Sequence, residues 1–328
     1  MKGEYFEGRR GMFWIPGDIV KSESGTFQRG PLFVEWQEPK EVSGAPLVLI
    51  HGGGGQGTDW LTTPDERPGW ASLFRRAGHP VYVVDRPGHG RSAAHPDVLG
   101  RVGQQLSYEG AASLFANGQE SVGHSQWPWG GIPGDHEMDQ LVASGGSLLA
   151  DLAESQDLDA RRIVELLEKT GPSVLVAHSV GTCAAWLVAE RRPELVLAVV
   201  AIEPVGPPFV SVPGIGDLTW GLTAASIRTH PDIPVEDLPS SRGSWTVPSL
   251  DGLQVLVISG EASILAPAAA SVTEFLVEVG AAARHTALED IGIHGNGHGL
   301  IFEHNSAETI RPVLEWIAHI ERKGIEHG

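Results

Sequence analysis

The stretch PSVLVAHSVGTCAAWLVAERR, residues 172–192, reads as a buried strand, a sharp corner and a helix in immediate succession. Its opening run is apolar and β-branched, and CAAWLVAERR carries a good helical pattern. The corner is Ala177-His178-Ser179-Val180-Gly181. A serine placed there takes a strained backbone that exposes its hydroxyl, and residues two before and two after it must be small to avoid collision. Ala177 and Gly181 meet that need, which makes Ser179 the candidate nucleophile. The alternative is an ordinary helix cap.

Working outward, further apolar runs are APLVLI (45–50), PVYVVD (80–85), LAVVAI (197–202) and LQVLVIS (253–259). Several are separated by helix-like stretches, the rhythm of an α/β protein with a mostly parallel sheet. Each run ends in a loop of unusual chemistry, as expected where sites lie beyond the carboxyl ends of strands. Before them, GTFQRGPLFVEWQEP alternates in a way that predicts an antiparallel hairpin. Two long stretches, 93–157 and 205–248, break the rhythm, and the second is rich in Pro, Gly, Ser and Thr. Loops of that length in a compact enzyme are usually lids or binding loops, so the expected division is a core of 1–92, 158–204 and 249–328 with a cap from the two insertions.

The first parallel run ends in His51-Gly52-Gly53-Gly54-Gly55-Gln56-Gly57. Glycines there let backbone amides approach a ligand closely, so Gly53 or Gly54, with Val180, are candidate donors to a developing oxyanion. A phosphate-binding loop is the rival, but the Lys-Ser/Thr of a P-loop is absent. Near the end of the chain, GNGHGLIFE (295–303) offers His298 as the base, with His294 as its competitor. His285 and His304 read as surface or helix residues. For the acid there are two places: Glu203, between an apolar run and Pro204, and Glu261, one strand later. Pro204 fixes where the Glu203 carboxylate points, whereas ASILAPAAAS after Glu261 makes that residue a candidate helix-start charge. Glu203 is favoured.

The formal net charge is −18, from 41 acidic and 23 basic residues. That excess excludes a polyanionic partner such as nucleic acid and favours a small, neutral substrate. The one cysteine, Cys183, forms no intrachain disulfide, and the longest apolar run is far below the roughly 20 residues that span a bilayer. With no apolar segment of signal-peptide length at the N-terminus, the expectation is a cytoplasmic protein with no membrane partner. Trp127 and Trp129, with Trp220, are candidates for lining an apolar pocket or filling the cap core. His124, Asp135, His136, Glu137 and Asp139 invite a metal reading, but their polar loop setting is more simply a solvated surface. No metal is expected.

Taken together, IHGGGGQGTDWLTTPDERPGW, DRPGHGRS (85–92), AHSVG, AIEP and HGNGH resemble the α/β-hydrolases, and within them the bacterial esterase 713 group, in matching order from about residue 27 onward. The resemblance implies an α/β-hydrolase fold and a Ser179–Glu203–His298 triad, since that group's glutamate lies in a V-E-P segment and its histidine in H-G-N-x-H. DRPGHGRS is then a scaffold turn, with His89 structural. The prototype carries adjacent cysteines where this chain has Gly53 and Gly54, so no property of that pair carries over. The group is also associated with export, for which no signal is seen here, and with dimerisation, so a homodimer is expected. The implied activity is cleavage of a carboxylic ester or lactone through an acyl-enzyme, without a cofactor. The same machinery would serve an acyltransferase or carbon–carbon hydrolase, and a ligand receptor on this fold is the non-enzymatic rival.

Overall fold

A computed structural model describes residues 7–92, 95–116, 123–212 and 215–327. The strands are β1 (Gly8–Ile15), β2 (Asp18–Ser22), β3 (Gly25–Arg29), β4 (Leu32–Pro39), β5 (Leu47–Ile50), β6 (Val81–Asp85), β7 (Ser173–His178), β8 (Val196–Ile202), β9 (Ser211–Val212), β10 (Gly216–Asp217), β11 (Gln254–Ser259) and β12 (Ala282–Ala287). An eight-stranded sheet has the order β1-β4-β6-β5-β7-β8-β11-β12. β1 and β4 pair antiparallel, β4 runs antiparallel to β6, and the six strands β6-β5-β7-β8-β11-β12 are parallel.

Successive side chains of a strand point to opposite faces. Val48, Ile50, Leu175, Ala177, Val199 and Val257 therefore enter one core, with the helices Leu152–Thr170, Gly181–Arg191 and Ala266–Glu278. Leu47, Leu49, Val174, Val176, Val200 and Ile258 enter the other, with the helices Trp70–Arg76 and Arg311–His327. Because both faces are covered, these strands read as unbroken apolar runs rather than alternating ones. Among the described residues, no helix is long and apolar enough to cross a membrane.

Two expectations are corrected. The 25–39 segment is not one hairpin: β3 pairs with β2 in a separate two-stranded ribbon, while β4 joins the main sheet between β1 and β6. The break falls at Gly30, whose φ of +60° turns the chain and whose missing side chain makes room for Leu158. His285 is neither helical nor on the surface; it is half-buried in β12, with Nε2 2.8 Å from Ser259 Oγ.

Within the two inserted stretches, residues 93–94, 117–122 and 213–214 lie outside the described residues. The first contains the helix His136–Ser144, and the second the β9–β10 ladder. Leu222, Ala225, Leu238, Trp245 and Val247 of the second stretch pack into the core on the Ala266–Glu278 face.

Candidate active site

Ser179 follows β7 directly and has φ +52°, so a non-glycine residue is held in the left-handed region at the turn into the helix Gly181–Arg191. Its amide donates to Ile202 O of β8 (2.9 Å). Gly181 is obligatory: a Cβ there would stand 2.4 Å from His51 O. The helix thus starts against β5, and Ser179 is lifted over the sheet edge.

His298 Nε2 lies 3.0 Å from Ser179 Oγ, and its Nδ1 lies 3.5 Å from Glu203 Oε2, at the long end of the hydrogen-bond range. Glu203 follows β8 directly with φ +50°, its amide bonded to Ile258 O. Its carboxylate accepts from the Gly260 amide (2.5 Å) and from the Ser263 hydroxyl. All three side chains are buried. Burial disfavours charge on both members of the acid–base pair, pulling the His298 imidazole below its ordinary value and pushing the Glu203 carboxyl above its own. The Ser263 and Gly260 donors oppose that rise in Glu203.

His298 is positioned from behind. Its carbonyl accepts from His178 Nε2 (2.9 Å), and its ring faces His178 at 4.7 Å and Phe115 at 5.4 Å between centroids. The buried Glu303 fixes the loop by accepting from the Gly297 amide (2.9 Å), Asn296 Nδ2 (2.7 Å) and His124 Nε2 (2.9 Å).

His294 is exposed and faces Glu261, with Nδ1 3.2 Å from Oε2. Glu261 also takes the Gly295 amide (3.2 Å). It is no helix-start charge, because the next helix begins at Ala266 with no acidic residue in its first turn.

The glycine loop faces Ser179 from β5. A Cβ on Gly53 would meet little, Val180 Cγ2 being 3.9 Å away, whereas one on Gly54 would strike Gly146 O at 2.5 Å. Among the described residues, the amides of Gly53, Gly54 and Val180 have no protein acceptor, so they are free for a ligand oxygen. Val180 also joins Leu152, Cys183, Val205 and Leu218 in an apolar cluster beside the nucleophile. Burial pushes the Cys183 thiol up to about 12, so it is inert as a nucleophile.

Trp127 is buried in the sheet core and Trp129 packs edge-on against it at 5.0 Å. Neither ring is the one against His298, a position held by Phe115. Trp220 packs against the opposite core. Of the five polar residues of the first insertion, His124 goes to Glu303, Asp135 to the Ile132 amide, and Asp139 to Tyr108 Oη and the Gly134 amide. In the 85–92 turn, Asp85 accepts from the amides of Gly57 (2.6 Å) and Arg91 (2.8 Å), and buried His89 lies against His51. Sequence reading missed Phe115 and Ser263, single residues in segments without a motif.

A family model described as alpha/beta hydrolase fold matches residues 45–221. A protein named probable secreted lipase phiG, from Fungal sp. (strain ATCC 74256), is 32% identical over 319 residues, covering 89% of this chain and 87% of that one. The solved structure of a bacterial esterase superposes with a TM-score of 0.72 at 23% identity, over 97% of this chain and 98% of the other. A peroxisomal α/β-hydrolase of Saccharomyces cerevisiae gives 0.50 at 13% identity, over 98% and 91%.

Proposed function

Because this chain belongs to the alpha/beta hydrolase fold family, we propose that it is a serine hydrolase that cleaves a neutral carboxylic ester or lactone through an acyl-enzyme on Ser179. The observation that carries the reading is the 3.0 Å approach of His298 Nε2 to Ser179 Oγ, with Glu203 on the other ring nitrogen. The names of the fungal lipase and the bacterial esterase agree with it.

In this scheme His298 takes the Ser179 proton as Oγ attacks the carbonyl carbon. The carbonyl π pair moves to oxygen, and the oxyanion accepts from the amides of Val180 and of Gly53 or Gly54. Collapse expels the alcohol, which receives the proton from His298. Water, deprotonated by the same imidazole, then releases the acid and frees Ser179. Glu203 holds the ring tautomer and stabilises the imidazolium. No step needs a metal or organic cofactor.

The stretches 93–157 and 205–248 serve as the cap. Supporting this, Phe115 of the first lies on His298, and Val205 and Leu218 of the second pack with Val180. A cytoplasmic location and a homodimer complete the proposal, to be checked by fractionation, since the fungal relative is named as secreted, and by light scattering. The decisive experiment is labelling with a fluorophosphonate followed by peptide mapping: the adduct is expected on Ser179. Absence of labelling, or an adduct elsewhere, contradicts the proposal.

A further inference from the structure

Arg86 is a buried cation that the mechanism above leaves without a task. It follows β6, is 1% exposed, and its Nη1 lies 2.7 Å from Oδ2 of the equally buried Asp159, on the helix Leu152–Thr170. Taking such a pair out of water costs more than its attraction commonly returns, so stability is a poor reason for its presence. The pair is not even fully bonded: Arg86 Nε and Asp159 Oδ1 have no partner among the described residues. What the guanidinium does bond is the glycine loop. Nη2 donates to Gly52 O (2.7 Å) and Gly53 O (2.6 Å), two consecutive carbonyls.

The peptide unit is planar and trans, so the carbonyl of one residue and the amide of the next point in opposite directions. Fixing Gly52 O therefore aims the Gly53 N–H away from Arg86, and fixing Gly53 O does the same for Gly54. Among the described residues, neither of these two amides has a protein acceptor. Around them the backbone has no Cβ to restrict it over four residues, and an unanchored glycine loop samples many orientations. His51 adds to the grip, its Nε2 accepting from the Arg86 amide (3.0 Å) and its Nδ1 lying 2.9 Å from Gly52 O. Gly54 O is held in turn by the Gly146 amide (2.6 Å). Arginine suits the task because one terminal nitrogen offers two hydrogens in a fixed fork, whereas an ammonium on a flexible stem does not. A cation hydrogen-bonded to a carbonyl also polarises the peptide and strengthens its N–H as a donor.

We infer that the Arg86–Asp159 pair is a positioning device that aims the oxyanion-binding amides of Gly53 and Gly54, with Asp159 setting the guanidinium plane. The inference rests on the serine-hydrolase reading and adds to it a buried charge pair outside the triad.

The test uses the full-length protein with a p-nitrophenyl ester, and a trifluoromethyl ketone that adds to the serine as an oxyanion-bearing hemiketal. Arg86→Met alone strands Asp159, so the informative variants are the double replacement Arg86→Met/Asp159→Leu, which leaves no buried charge, and Arg86→Lys, which keeps the charge without the fork. The double variant is expected to melt at or above the wild-type temperature while kcat falls by roughly 10- to 100-fold with little change in KM. The inhibition constant for the ketone should rise by the same factor as kcat/KM falls, a parallel that a merely structural role would not produce. Arg86→Lys should show the same split to a smaller degree. Either variant, folded and with unchanged kcat and ketone affinity, overturns the inference. A wild-type protein that neither hydrolyses esters nor labels with fluorophosphonate overturns the hydrolase reading instead, so the two failures are distinguishable.

Discussion

Ser179 and Glu203 directly follow the neighbouring parallel strands β7 and β8, and both take a left-handed backbone, with φ of +52° and +50°. Their amides step across the sheet in the same way, Ser179 N to Ile202 O (2.9 Å) and Glu203 N to Ile258 O (2.8 Å). Non-glycine residues in that region persist only where the surroundings over-determine them. The consequence is that both side chains rise above the strand ends toward the one histidine between them.

Glu203→Gln should therefore lower turnover by about 10²- to 10⁴-fold, the range for neutralising a triad acid. Glu261→Gln touches only contacts at the surface, to His294 and to the Gly295 amide, and should leave turnover nearly unchanged. Steady-state kinetics on both variants check this. A crippled Glu261→Gln beside an active Glu203→Gln would return the acid to the commoner position.

His298→Ala should be as inactive as loss of the nucleophile, and His294→Ala should keep near wild-type activity, since His294 is exposed and turned to Glu261. The reverse order in hydrolysis assays would move the base to His294.

The pH profile follows from the two shifts. His298 must be neutral to accept a proton, and burial lowers its pKa, so the first rise in kcat/KM should fall below the ordinary imidazole value of about 6.5. Burial raises the Glu203 pKa, so its ionised form, which supports the imidazolium, fills in only above the ordinary carboxyl range and adds a second rise. Glu203→Gln should remove the upper step and keep the lower one. A single inflection near 6.5 that survives Glu203→Gln would contradict the assignment.

Gly53 and Gly54 should respond differently to alanine. At Gly53 a methyl group makes only an ordinary van der Waals contact, with Val180 Cγ2 at 3.9 Å, so the variant should melt like wild type. At Gly54 it would collide with Gly146 O at 2.5 Å, and the variant should lose about 1–3 kcal/mol of stability by thermal or chemical denaturation. Equal stability of the two would mean that the 54–146 contact is not maintained in solution.

The parts of the fold that were legible in the sequence are those buried on both faces. β5, β7, β8 and β11 announce themselves because their central positions are buried and apolar. β12, AARHTA, went unread because it is an edge strand with alternating exposure and a basic residue and a histidine in its middle. The Ser179 corner and the glycine loop were legible because steric demands leave few residue choices there. The geometry now separates His298 from His294 and Glu203 from Glu261, which spacing alone left open, because it depends on which loop carbonyls and amides each residue meets. Ser263 on Glu203, Phe115 on His298 and Arg86 on the glycine carbonyls join segments far apart in the chain, and nothing local marks them.

The most direct measurement is the kcat/KM of Ser179→Ala on a p-nitrophenyl ester, made on protein whose melting temperature and circular dichroism match wild type. The hydroxyl sits at the corner of the turn and its removal leaves the core untouched, so the account predicts a folded variant whose residual rate is at least 10³-fold below wild type. Ester hydrolysis by that variant near the wild-type rate would contradict it.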